Sequence, residues 1–68
     1  MTIKIESISS GRVTTLRGEP EEVRLQALLL FPWAQRKPYP GHHHDPNDLK
    51  DVITRLAGTQ DLLVEVEA

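Results

Sequence analysis

The sequence predicts a small α+β domain: a two-layer sandwich whose three-stranded antiparallel sheet, in the chain order β-β-α-α-β, carries two helices on one face. Three observations predict it. "TIKIESI" near the start and "DLLVEVEA" near the end alternate apolar and polar residues with the period of two that a half-buried strand requires. "DLKDVITRLAG" puts Leu49, Val52, Ile53 and Leu56 at i, i+3, i+4 and i+7, a single apolar stripe along a helix. A length of 68 residues leaves room for one core only, so these elements are expected to form a single domain over residues 1–68.

In chain order, Ile3 and Ile5 share one face of the first strand, and Lys4 and Glu6 the other. Ser10-Gly11 supplies a turn, since glycine tolerates positive φ, and "RVTTLR" follows with the β-branched residues that strands favour. Together they predict a hairpin over residues 2–17.

The next stretch, "RGEPEEVRLQALLLFP", supports two readings. A helix is favoured by Gly18 as a break, Pro20 at the first helical position, Glu21 and Glu22 in the first turn, and helix formers ending before Pro32. A strand is favoured by the alternation Val23, Leu25, Ala27, Leu29, Phe31. That alternation fails at Leu28 and Leu30, and Ala-Leu-Leu-Leu is poor strand material, so the helix is preferred for 20–31. Beyond Ala27 such a helix is apolar on nearly all sides and needs deep burial or a partner's cover.

Residues 32–45, "PWAQRKPYPGHHHD", read as a loop that is long for so small a domain. Loops above roughly 12 residues without structure of their own are usually functional or disordered. Asp45 then stands where an N-cap belongs, with Pro46 at the first helical position and Asp48 three residues after the cap. Gly58 is placed to end that helix in the left-handed conformation. The terminal strand sets Leu62, Val64 and Val66 against Leu63, Glu65 and Glu67, and is expected to pair with one edge of the hairpin.

Composition excludes several classes of function. With no cysteine there is no disulfide, no thiolate nucleophile and no Cys-based zinc site. The longest apolar run, around Ala27 to Pro32, is far short of the ~20 residues of a membrane span. The N-terminal alternation lacks the charged and apolar regions of a signal peptide, so a cytoplasmic location without membrane contact is expected. A net charge of −2 argues against broad, non-specific nucleic-acid binding. The charge is unevenly spread, at zero over residues 1–24, +2 over 25–44 and −4 over 45–68. The one basic stretch is the loop that carries the histidines.

That loop also concentrates the chemistry. Trp33, Arg36 and Tyr39 are residue types enriched at interface hot spots, and together with Lys37 they fall within seven positions. His42 and His44 can converge on one side of an extended segment while His43 faces the other, which suggests a zinc or nickel site. A helix start at Asp45 opposes it, because a capping carboxylate is already engaged and the positive end of a helix disfavours a cation. Arg36, Lys37 and the histidines ahead of a helix N-terminus could cradle an anion, and Trp33 and Tyr39 could stack on a nucleotide or single-stranded nucleic acid. Two cations are few beside the roughly 6–10 phosphate contacts of strong binders. Ser7, Ser9 and Ser10 with a histidine and an aspartate supply the names of a catalytic triad, but no G-x-S-x-G elbow, Walker loop or G-x-G-x-x-G accompanies them. The expectation is a non-enzymatic binding module without a cofactor. Its 33–44 loop would contact a protein partner or a second copy through Trp33, Arg36, Lys37, Tyr39, His42 and His44, with metal binding and nucleotide binding as the alternatives.

Overall fold

Ile3 and Ile5 are each 1% exposed because their strand is the middle one of the sheet. A computed structural model describing residues 1–67 places β1 (Thr2–Ser7) between β2 (Val13–Arg17) and β3 (Leu62–Glu67), antiparallel to both. The register sets Ile3 between Leu16 and Val66, and Ile5 between Thr14 and Val64, on one face, while Val13 and Leu63 flank Glu6 on the other. Lys4 lies on the opposite, open face between Thr15 and Glu65, where the opposite charges of Lys4 and Glu65 suit a cross-strand pair. Two helices cover the apolar face, α1 (Pro20–Leu30) and α2 (Leu49–Ala57). The expected α+β sandwich, its three-stranded antiparallel sheet and its two helices are all present.

Helix wins over strand at residues 20–30, and the burial pattern shows how. Two residues along a helix are about 200° apart, so the alternating set divides between opposite faces. Val23 and Ala27, four apart, are buried with Arg24 and Leu28, while Leu25 and Leu29 are exposed. Pro20 opens the helix without a wasted N–H, and Phe31 closes it, its N–H reaching the Ala27 carbonyl at 2.8 Å just before Pro32. Val23, Ala27 and Leu28 then meet Val52 and Leu56 of α2 over Ile3, Ile5 and Leu16. Fully burying a side chain of this size contributes about 1.5–3 kcal/mol.

The β1–β2 connection is closed at both ends by backbone bonds, Ser7 N–H to Arg12 O (2.9 Å) and Gly11 N–H to Ser7 O (2.8 Å). Gly11 makes that closure possible at φ +72, a conformation that L side chains avoid. The same turn is tied to the start of β3. Asp61 accepts from the Ser7 hydroxyl and from the Ser9 N–H, both at 3.0 Å, while its carbonyl accepts from Ile8 N–H at 2.8 Å. These bonds, from the Ser9 side chain and N–H and from Ser7, hold the Asp61 carboxyl below the usual carboxylate range.

Three local expectations differ from the structure. Helix α2 starts at Leu49 rather than Pro46, and its N-cap is Asp48, whose carboxylate accepts from Lys50 N–H at 3.1 Å. Asp45 instead accepts from Asn47 N–H at 2.9 Å, and its carbonyl from Asp48 N–H at 3.0 Å, so 45–48 forms a turn. Pro46 O, which a helix starting there would offer to Lys50, is taken by Arg24 at 2.8 Å. The second difference is Gly58, which is right-handed at φ −75. The carbonyls at the end of α2 are met without a left-handed residue, by Gly58 N–H on Thr54 O (2.9 Å) and Thr59 N–H on Leu56 O (3.1 Å). Third, the supposed 32–45 loop begins with a 3₁₀ turn, Pro32–Gln35, whose Ala34 is fully buried.

Two stability measurements check these assignments. Gly11→Ala should cost about 1–2 kcal/mol in urea unfolding, because the added methyl has space but the positive φ does not suit it. Asp61 should make stability acid-sensitive. Its depressed folded pKa means the contribution is complete above the ordinary aspartate value of ~3.9 and is lost as pH falls through the lower folded value. Asp61→Asn should therefore be less stable than the parent at neutral pH, and the gap should narrow below about pH 4.

Candidate functional site

The surface around the histidines is built from two arginines in opposite circumstances. Arg24, on the inner side of α1, is 7% exposed. Its Nε donates to Glu21 Oε2 at 3.0 Å, its Nη2 to the other oxygen of Glu21, and its Nη1 to Pro46 O at 2.8 Å. Hydrogen bonding and charge from Arg24 hold the Glu21 carboxyl below the usual range, and Glu21 in turn raises Arg24. One face of α1 thereby fixes the entry to α2. Sequence reasoning weighed this stretch as helix or strand from its apolar residues and missed the contact made by Arg24. The available signal was the i, i+3 spacing of Glu21 and Arg24 on a helix.

Arg55, in the last turn of α2, fixes the other end. Its guanidinium lies 4.9 Å from the centre of the Trp33 ring, and its Nε donates to Arg36 O at 3.1 Å. Trp33 itself packs edge-on against Phe31, with centroids 5.9 Å apart and planes at 71°, both rings half-buried against the core. His44 is held against the 3₁₀ turn. Its Nε2 lies 2.6 Å from Ala34 O, and since a carbonyl only accepts, that nitrogen carries the proton.

Between these anchors the chain turns at Gly41 (φ +87), and His42 N–H donates to Tyr39 O at 3.3 Å. The His42 ring leans on the Tyr39 ring, 4.9 Å between centroids, with Nδ1 and the phenol oxygen sharing a hydrogen bond of 3.1 Å. His43 takes a third direction. Its Nε2 stands 3.4 Å from Asp51 Oδ2, an oxygen that also accepts the Asp45 N–H at 2.9 Å. The outcome is a cleft of about 270 Å³ between the loop and α2, lined by Pro38, Tyr39, the three histidines, Asp51, Thr54, Arg55 and Gly58.

Of the residues expected to form a site, the cleft gathers Tyr39, His42 and His44, and adds His43. Trp33 lies beneath Arg55 instead, and Arg36 and Lys37 are exposed and outside the lining. His42 and His44 share the cleft, but each has a protein partner of its own. Among the described residues no group of three or more His, Cys, Asp or Glu side chains is placed to hold a metal ion. Ser7 and Ser9 bond to Asp61 and to each other, with no histidine in that network. Sequence reasoning also passed over Thr54 and Arg55, which lie on the polar side of a helix it described by its apolar stripe.

A second surface is the outward side of α1. Leu29 is 81% exposed, Leu30 53% and Leu25 49%. Leu25 and Leu29 are four residues apart and so stack on one helical face. Among the described residues no helix is long and apolar enough to cross a membrane.

No family model, curated protein or solved structure matches the chain.

The Arg24 contact carries a direct test. Arg24→Ala should lower the melting temperature and speed hydrogen exchange at the Asp48 and Lys50 amides, while the exposed Arg17→Ala should leave both near the parent values. Equal exchange in the two variants would remove Arg24 as the anchor of the loop.

Proposed function

We propose that the protein is an interaction module that pairs with a second copy of itself through the outward face of α1. The observation that carries this reading is Leu29, 81% exposed on a helix that leaves Leu25 and Leu30 half open beside it. Trp33, the anchor expected from sequence, is already committed to Phe31 and Arg55, whereas the leucines have no cover.

A second copy fits for two reasons. The first is stability. Nine buried apolar side chains among the described residues make a thin core, without cysteine, and domains of this size commonly gain the missing stability by association. The second is electrostatic. Helix α1 has Glu21 and Glu22 in its first turn and no basic residue in its last. An antiparallel two-fold pairing sets the negative end of each helix dipole beside the positive end of its mate, and one self-complementary patch serves both copies. In this reading the 33–44 loop, with Arg36, Lys37 and Tyr39 exposed, is not the pairing surface. The non-catalytic part of the reading is supported by the engagement of the Ser7 hydroxyl with Asp61 and of the Ser9 hydroxyl with that of Ser7.

Sedimentation equilibrium at roughly 10–100 μM, above a micromolar dissociation constant, is the deciding measurement. The parent should sediment as a dimer, and Leu29→Glu as a monomer with its helical circular dichroism retained. A parent that stays monomeric across that range would end the self-pairing reading.

A further inference from the structure

The cleft raises a separate question, independent of how α1 is covered: what satisfies Arg55. Buried or half-buried charges are ordinarily paired, and Arg24 obeys that rule through Glu21. Arg55 is half-buried, and no carboxylate lies within 4 Å of it among the described residues. Asp51, four residues earlier on α2, is at the spacing where such pairs meet. Its oxygen is turned instead to the Asp45 N–H and His43, while the guanidinium is drawn over Trp33. Among the described residues, only the Nε of Arg55 has a protein acceptor. No buried side-chain nitrogen or oxygen among the described residues lacks a partner, so the two terminal nitrogens are reachable from outside.

We propose that this cleft binds a small organic oxyanion, a carboxylate or phosphate monoester joined to a body no larger than one aromatic ring. Each part of that description follows from the lining. The guanidinium fork of Arg55 presents paired N–H donors of the kind that match two oxygens of a carboxylate or phosphate. The rings of Tyr39 and His42 and the ring of Pro38 make a wall against which a flat apolar body can lie. The volume sets the size. A cavity of roughly 150 Å³ holds benzene, and pockets for drug-sized ligands run to roughly 300–1,000 Å³, so about 270 Å³ suits one ring with its charged group. Asp51 is the one acid of the lining; its Oδ2 accepts the Asp45 N–H, and it stands in the first turn of α2, where a negative charge is best tolerated.

The test is a titration of isotopically labelled protein at constant ionic strength, followed by amide resonances, with phenyl phosphate, benzoate, inorganic phosphate and benzyl alcohol as probes. Phenyl phosphate or benzoate should saturate at roughly millimolar concentration or below, with shifts confined to Tyr39, the three histidines, Thr54, Arg55 and Gly58. Whichever of the two binds tighter identifies the charged group, and benzyl alcohol should produce no saturable shift. Arg55→Gln should weaken binding about tenfold or more, the scale of one lost charged hydrogen bond. Because Arg55 also packs on Trp33, Tyr39→Ala serves as the second variant: its side chain is exposed, so the fold should persist. It should weaken the aromatic probes several-fold and leave inorganic phosphate unchanged. The proposal is overturned by probes that never saturate, by shifts scattered over surface lysines and arginines, or by Tyr39→Ala binding phenyl phosphate and benzoate as tightly as the parent.

Discussion

One buried guanidinium decides how the two helices and the loop between them are arranged. Arg24 is nearly sealed from solvent, and a charge in that position must be matched. Glu21 matches it from the same helix, and Pro46 O completes the set from the far side of the loop. The consequence is geometric. By taking the Pro46 carbonyl, Arg24 holds residues 45–48 in a turn and delays α2 to Leu49. That delay leaves the histidine triplet ahead of a turn rather than a helix, with room for Asp51 to reach back to Asp45 N–H and meet His43.

The two arginines against the core are therefore a matched contrast. Arg24 is buried and fully paired within the chain, while Arg55 is half-buried and, among the described residues, paired only with an aromatic face and one carbonyl. A cation over Trp33 gains from the ring and keeps its charge. Trp33 and Phe31, by taking places on the core, leave the unburied apolar area of this region on α1. The interior and the exterior are linked through that choice of which rings pack inward.

What could be read from the sequence was what depends on periodicity. The alternation at Ile3 and Ile5, the β-branched run of β2 and the stripe Leu49, Val52, Ile53, Leu56 each fixed an element, because burial of one face is a local pattern. The same reasoning resolved α1 once Leu28 and Leu30 broke the alternation. What could not be read was which of two equivalent local signals would be used. Asp45 and Asp48 are both competent caps, and a carbonyl bond from a residue on another helix chose between them. The cleft was half legible for a similar reason. Its histidines stand out in the sequence, but Thr54 and Arg55 come from the polar side of a helix, and only the folded chain brings them to the same place.

The placement of β1 at the centre of the sheet bears on how the chain reaches this fold. Its partners are a neighbour across one tight turn and β3, so that Ile3 meets Val66 across almost the whole sequence. The near pairing can form early and on its own; the far one closes a long loop and adds the larger entropic cost. During synthesis β1 therefore waits beside β2 with one backbone edge unsatisfied until β3 has emerged. Until then that edge is open to pairing with another strand.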